Sequence, residues 1–401
     1  MFFQTLDDKL ECVGIYYKDD LFFDLDNFPS DITKTWKYSS FLKQFSGIEY
    51  ANLYLEGKPI EEIIPEYLKD DWDDASAKIK AFKRSLSISK VDEAENCFYD
   101  LVPKRFLVEF CRVKNSITKF VLDKYAKPKR YDFSLSVCKM LEDISNRKLN
   151  LNYKKIKSYT SGKRNASDLL RSKPYIGYNQ FGTVTGRLTT KKRSFPILTL
   201  KREYRDVVEP VNDTFYEFDF NGAEARVLLG LLDKDQPRQD VHDFHRTEVF
   251  NNALTREQCK TAFFAWLYGA RKLNKSQEGK RLKEFYDKDA VVKKFWDGST
   301  VETPLGKVIA NVSEHHALNY IVQSTTAELT LLQAIKINHL LETQGSGSFL
   351  SCLIHDSVVV DLKDGDKHLV PKIQKLMGST KFGSFSINTS AGKSLGRLKK
   401  Q

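Results

Sequence analysis

"FYEFDFNGAEARVLLGLL", residues 215–232, begins as an aromatic strand and ends as a helix. Tyr216, Phe218 and Phe220 alternate with other positions at the period of a strand, and Val227, Leu228, Leu231 and Leu232 then recur at the spacing of an apolar helix face. Asn221 stands at the junction with Glu224 three residues on, which is capping-box spacing and predicts a helix start there. Just before the junction sits Asp219, a carboxylate inside an apolar run. Asp356, in "CLIHDSVVV" (352–360), has the same setting. For a lone aspartate the plainer reading is a strand end or turn. Two of them, each without an adjacent arginine, point further. Burying an ionised carboxylate is costly unless positive charge compensates, and hard divalent cations are the usual compensation. Two aspartates on neighbouring strands suit Mg2+ ions that activate a hydroxyl and neutralise a phosphate in transfer.

Composition sets the frame for this chemistry. The 401 residues are long enough for two or three domains, and 41 % hydrophobic with 12 % aromatic content describes a folded globular protein. The first residues are too short and too acidic a stretch for a secretory signal, and no run approaches the ~20 apolar residues of a membrane span, which predicts a cytoplasmic protein that meets no membrane. Six cysteines without a CxxC pair argue against a zinc ribbon or a disulfide framework and predict reduced thiols. The formal charge of +11 suits a polyanionic partner. Charge is also sorted along the chain: residues 56–74 hold eight acids against two lysines, and residues 147–173 hold nine bases against one acid. The acidic stretch reads as a solvated loop.

Strands or hairpins are expected in the first ~60 residues, two or three amphipathic helices over 96–145, and one long helix over about 314–343 followed by a strand pair. Between them lies "TREQCKTAFFAWLYGAR" (255–271), in which Arg256, Lys260, Phe264 and Tyr268 recur every fourth residue. On a helix that spacing makes one stripe ~18 Å long, cations first and aromatics after. Such a stripe suits a nucleotide, with the cations on a triphosphate and the rings on sugar and base. The alternative is a surface helix with two solvated bases and two core aromatics.

Taken together and in order, these stretches resemble the family A DNA polymerases, the polymerase part of bacterial DNA polymerase I. "YNQFGTVTGRLTT" (178–190) resembles the template- and primer-contacting motif, "DFNGAEARVL" motif A, "REQCKTAFFAWLYG" motif B, "ALNYIVQSTTAEL" (317–329) the long palm helix and "IHDSVVV" motif C. "DVH" (240–242) and "ETPLGK" (302–307) also fall in family order. The resemblance runs from about residue 175 to the C-terminus and implies an α+β right-hand fold. Its expected divisions are an N-terminal appendage (1–95), a basic helical thumb (96–172), palm (173–232 and 313–401) and fingers (233–312).

What the resemblance implies for activity is DNA synthesis on a primer–template from dNTPs. Asp219, the Phe220 carbonyl and Asp356 would hold two Mg2+ ions, with Mn2+ able to substitute. Arg256, Lys260 and His242 would face the triphosphate, while Glu224, Phe264 and Tyr268 would select the sugar. Arg187, Asn319, Gln323 and His355 would hold primer and template, with Tyr268 stacking near the template. Contacts of that kind test duplex shape without reading sequence. Blander roles compete with these: Asp240, Asp243 and His245 beside His242 make a metal cluster or a polar loop, Asn319 and Gln323 are surface residues of a helix, and Glu224 is only a capping acid.

The sequence also departs from the family pattern. The glutamate common after the motif C aspartate is Ser357 here, and the usual arginine four residues before Asn319 is His315. Asp24 and Asp26 in "FFDLDNFP" faintly resemble a first exonuclease motif, but no later motif follows, so neither editing nor 5′ nuclease activity is expected. Two rivals remain: a single-subunit phage-type RNA polymerase, whose motif C often reads HDS, and a non-catalytic nucleic-acid-binding protein on a polymerase scaffold. Glu224 beside the incoming sugar speaks against the first, and the retained Asp219, Asp356, Lys260 and Arg256 against the second. The compact form suggests a phage or mobile-element replicase.

Overall fold

The computed structural model describes residues 14–23, 30–91, 96–160 and 167–401. Asp24 and Asp26 lie outside them. The chain divides into two compact units, Met1–Asn146 and Arg147–Gln401.

In the first unit, strands β1 (Ile15–Tyr17) and β2 (Asp20–Phe22) form an antiparallel hairpin. Its loop residues Lys18 and Asp19 both have positive φ, 47° and 67°, as a two-residue turn needs to match the strand twist. Three longer helices follow, α1 (Lys69–Ile88), α2 (Lys104–Lys124) and α3 (Tyr131–Ser145). Helix α2 buries Phe106, Leu107, Phe110, Ile117 and Val121, the three-and-four spacing expected of it. These residues share one core with Tyr16, Leu21, Trp36, Leu55 and Trp72. The expected boundary at 95/96 therefore cuts through a hydrophobic core, and the division falls after Asn146 instead. The acidic stretch is not a plain loop. It makes short 3-10 turns and then enters α1, where Asp70 and Asp71 occupy the first turn, the end at which the helix dipole favours negative charge.

The second unit is built on a five-stranded antiparallel sheet. Strand β3 (Thr214–Phe220) leads into helix α4 (Ala223–Leu231), followed by α5 (Arg256–Leu267), α6 (Gln277–Tyr286), α7 (Lys288–Phe295) and the long α8 (Glu314–Gln344). Then come β4 (Phe349–Ile354), β5 (Ser357–Leu362), helix α9 (Val370–Gly378), β6 (Ile387–Gly392) and β7 (Lys399–Lys400). The spatial order is β4-β5-β3-β6-β7, which makes β3 the central strand.

One face of the sheet is covered by helices. Phe218 is fully buried in β3, and α8 packs against β4, β5, α4 and α9. Because α8 is enclosed on most sides, it lacks a single apolar stripe, and several of its buried polar side chains find internal partners. Gln333 Nε2 donates to the carbonyls of Leu376, Met377 and Ser379, and Ser324 Oγ donates to the Thr185 carbonyl at 2.7 Å. The second bond ties the 178–190 segment to α8.

Cys111, Cys138, Cys259 and Cys352 are free thiols, as expected. Cys97 is disulfide-bonded, a pairing that spacing along the chain does not reveal. Cys12 lies outside the described residues. No described helix is long and apolar enough to cross a membrane.

Candidate active site

The register of the sheet brings the two aspartates together. Ser357 pairs with Asp219 across β5 and β3, and Ile354 pairs with Ser357 across β4 and β5. His355 and Asp356 are therefore the whole of a two-residue hairpin loop whose next residue faces Asp219. His355 adopts a left-handed φ of 54° to close the loop. On the other side of β3, Asn388 of β6 is the register partner of Asp219.

Both carboxylates are poorly solvated. Burial pushes Asp219 up to about 7, with the charges of Glu217 and Asp356 adding to the rise and the Asn388 side chain and Lys260 opposing it. Burial likewise raises Asp356, against the pull of Arg187 and His355. Two close carboxylates that resist ionising are a site short of positive charge. Hard oxygen donors are what Mg2+ takes, usually one or two carboxylates with waters and substrate phosphates completing the shell. The pair fits that demand, with the Phe220 carbonyl as a third oxygen from the same strand. Among the described residues no group of three His, Cys, Asp or Glu side chains is placed to hold a metal ion, which excludes the cluster reading of Asp240, His242, Asp243 and His245.

Around this pair lies a cleft of about 350 Å³ lined by Asp219, Phe220, Glu224, His242, Arg256, Lys260, Phe264, Tyr268, Arg187 and Asp356. Asn319, Gln323 and His355 are not among its lining residues. Asn319 is half-buried on α8, and its Oδ1 has no hydrogen-bond partner among the described residues. The stripe on α5 faces the cleft. The helix opens with a capping box between Thr255 and Gln258 and buries Cys259, Ala262, Phe263, Trp266 and Leu267 on its other side. Phe264 and Tyr268 are thus not core aromatics; their rings stack at 5.9 Å, and Tyr268 is exposed.

The junction after β3 departs from the expected cap. Gly222, at φ 65°, precedes α4, and a Cβ there would stand 2.2 Å from Val241 Cγ1, so only glycine fits this close crossing. Asn221 does not cap the helix. Its side chain donates to Asp240 Oδ2 at 2.7 Å and accepts from the Val241 amide at 2.9 Å. Glu224, freed from capping, turns into the cleft. It is 3 % exposed and accepts from Arg187 Nη2 at 2.7 Å and from the Tyr268 hydroxyl at 3.1 Å. Burial raises it even so.

Asp240 is the junction's second anchor. It caps the short helix Val241–Phe244 and receives Arg256 through Nε at 3.0 Å and Nη2 at 2.7 Å. Burial opposes its ionisation, but bonds from Arg256, Asn221 and the Asp243 and His242 amides hold Asp240 well below the usual carboxylate range. Arg256 is therefore aimed by a carboxylate as well as by its helix. His242 is buried and held down to about 4 by burial, and His245 to about 3, so both rings are neutral near pH 7.

Several members of this arrangement carry no sequence signal of their own. Asn388 reaches Asp219 only through sheet register. Arg226, fully buried, donates to the carbonyls of Asn221, Pro237 and Gln239 and so fixes the corner that carries Asn221 and Asp240. Tyr178 donates to the Leu353 carbonyl at 2.7 Å and accepts from its amide at 3.0 Å, fastening the 178–190 segment to β4.

No protein-family profile matches the chain. It is 23 % identical over 279 residues to DNA polymerase I of Aquifex aeolicus strain VF5, covering 59 % of this chain and 48 % of that protein. It is 25 % identical over 259 residues to a DNA polymerase of Bacillus phage SP01, covering 50 % of this chain and 28 % of the phage protein. The chain thus spans about half or less of the length of these relatives. Among solved structures, the POL domain of Pol1 from M. smegmatis, in complex with DNA primer-template and dNTP, matches with a TM-score of 0.65 at 13 % identity, covering 88 % of this chain and 82 % of the other. The fold is that of a polymerase domain, and the sequence similarity to DNA polymerases covers 50 to 59 % of the chain.

Proposed function

We propose that the chain is a template-directed DNA polymerase that adds dNTPs to a primer 3′-hydroxyl. The observation that carries this reading is the convergence of Asp219, Asp356, Glu224, Arg256, Lys260, Phe264 and Tyr268 on one cleft. In this reading the sheet of the second unit with α8 is the palm, the segment from about 233 to 312 the fingers, and the basic segment before the palm part of the thumb.

Asp219, Asp356 and the Phe220 carbonyl would hold the divalent cations. When bound, Mg2+ supplies a lowered pKa at the attacking hydroxyl and neutralises charge on the transferred phosphoryl group. The chain's own residues do the rest. Arg256, clamped on Asp240, and the exposed amine of Lys260 present two fixed cations to the triphosphate, at a stage when its charge grows on the leaving pyrophosphate. Neutral His242 adds a polar edge to the same wall without repelling the incoming metal. Phe264 and Tyr268 form the apolar side, and the buried Glu224, held by Arg187 and Tyr268, fills the space where a 2′-hydroxyl would sit. That last contact favours dNTPs over rNTPs and weighs against an RNA polymerase. Asn319, Gln323 and His355 remain the candidates for primer and template contact.

Primer extension on a defined template tests the reading. Mg2+-dependent extension with dNTPs is expected, lost in Asp219→Ala while DNA binding persists. Preference for rNTPs, or extension undiminished in Asp219→Ala, would reject it.

A further inference from the structure

Behind the wall of the cleft runs a chain of polar atoms that the chemistry above does not use. His242 lines the cleft, and its Nδ1 lies 3.4 Å from Nδ1 of His245, the longer link of the chain. His245 Nε2 is in turn hydrogen-bonded to the hydroxyl of Tyr286, at the end of α6. His245 and Tyr286 are fully buried against the inner face of α5, where the His245 ring stacks on Phe263 at 5.1 Å and the Tyr286 ring on Trp266 at 5.7 Å. The direction of the protons follows from the donors available. The Tyr286 hydroxyl has no other partner among the described residues, so it donates to His245 Nε2; accepting there would strand its own proton in the core. Burial keeps both imidazoles neutral near pH 7, so each ring carries one proton. The His245 proton is therefore on Nδ1 and faces His242 Nδ1, which accepts it. That leaves the proton of His242 on Nε2. This atom lies beside Gly222, 3.7 Å from where a Cβ would stand, and Gly222 also lines the cleft.

We propose that Tyr286 and His245 form a buried relay that fixes His242 as its Nε2–H tautomer, so that the cleft wall offers an N–H donor to a phosphate oxygen. The inference rests on the polymerase reading for the identity of the anion, the triphosphate of an incoming nucleotide. Tyr286 and His245 are positioning residues that act through His242. In the opposite tautomer His242 would turn a lone pair toward negatively charged oxygens and repel them. A donor set in place before the substrate arrives needs no reorganisation as charge builds on the leaving pyrophosphate. The plainer alternative is a buried tyrosine–histidine pair that satisfies only its own polar atoms, and such a pair would leave catalysis indifferent to the tautomer of His242.

Long-range 1H–15N spectra of the full chain, labelled in histidine, read the tautomers directly, because a protonated and a bare ring nitrogen resonate far apart. Loss of one set of signals in His242→Gln assigns that ring. In the wild type without nucleotide, His242 is expected as the Nε2–H form alone, and in Tyr286→Phe the Nδ1–H form should appear beside it. In primer extension, kcat/KM for dNTP insertion should fall about two- to tenfold in Tyr286→Phe, the scale of one hydrogen bond. His242→Gln keeps an N–H at similar reach with no tautomer to set, so adding Tyr286→Phe to it should cost far less than in the wild type. A merely structural hydroxyl would cost the same in both backgrounds, and that result overturns the proposal. So does an unchanged kcat/KM, or an unchanged His242 spectrum, in Tyr286→Phe. If Tyr286→Phe does not fold, the wild-type spectrum decides: His242 as the Nδ1–H form, or as a mixture of the two, overturns the proposal. Absence of primer extension by the wild type overturns the polymerase reading instead, and leaves the relay to be judged by the tautomers, which are read without nucleotide.

Discussion

Arg187 and Glu224 form a salt bridge of 2.7 Å in which the carboxylate is almost fully buried and the guanidinium is one-third exposed. The Tyr268 hydroxyl completes the cradle. Residues from three separate motifs thus fix one carboxylate against the cleft. Shortening it should admit a larger sugar: Glu224→Ala is expected to improve rNTP relative to dNTP incorporation by roughly 10- to 100-fold, the scale on which a pocket senses one added group. Paired single-nucleotide insertion assays measure the ratio; an unchanged ratio would remove Glu224 from sugar selection.

Asp219→Ala should lower the extension rate by roughly 100- to 1,000-fold or more, as loss of a group that stabilises transition-state charge does. Affinity for primer–template should change little. Rapid-quench kinetics with a parallel gel-shift measurement separates the two.

The same aspartate makes a prediction about stability. Its folded pKa, about 7, lies above the ordinary 3.8, so the native state holds a proton that the unfolded chain has released. The linked stability is fully present below about pH 4 and is lost as pH rises through about 7. In EDTA, Asp219→Asn should therefore match the wild type near pH 4 and melt higher near pH 8, by on the order of a few degrees. Added Mg2+ should narrow the gap by stabilising only the wild type. Melting curves that differ equally at both pH values would contradict the burial of this carboxylate.

On α5, Phe264 stacks on Tyr268 and lines the cleft beside Glu224. A phenylalanine there offers no hydroxyl to replace the missing 3′-hydroxyl of a dideoxynucleotide. Phe264→Tyr should raise ddNTP use relative to dNTP use, read as the density of chain terminations on a sequencing gel. Equal termination in both proteins would place this ring away from the sugar.

Arg226 donates four hydrogen bonds from a fully buried guanidinium. Arg226→Ala would strand the carbonyls of Asn221, Pro237 and Gln239, and should cost about 3 kcal/mol or more in urea unfolding. Arg226→Lys should recover only part, because an ammonium cannot span the fork of acceptors.

The set of residues that line the cleft was largely legible because they sit in short local patterns. The aspartate after alternating aromatics, the every-fourth-residue stripe and the long helix each follow from backbone period, and all are found where they were expected. What escaped was set by register or by distance. Asn388 becomes a neighbour of Asp219 only once β6 is in place. Asn221 reads as a cap by spacing alone, yet Gly222 turns the chain so that Asn221 binds Asp240 and Glu224 faces Arg187. The first unit was legible only as helices and hairpins, since its core joins aromatics some 80 residues apart, as in the bond from the Gly14 amide to the Tyr99 hydroxyl.

The two-residue loop at His355 and Asp356 leaves the chain no slack between β4 and β5. Side chains on a strand alternate faces, so one residue inserted or deleted between Ser357 and the end of β5 would shift that strand's register against Asp219 and carry side chains through the sheet to the helix-packed side. Drift in this protein should therefore run through point substitutions at the loop, while changes of length collect in the segments between helices.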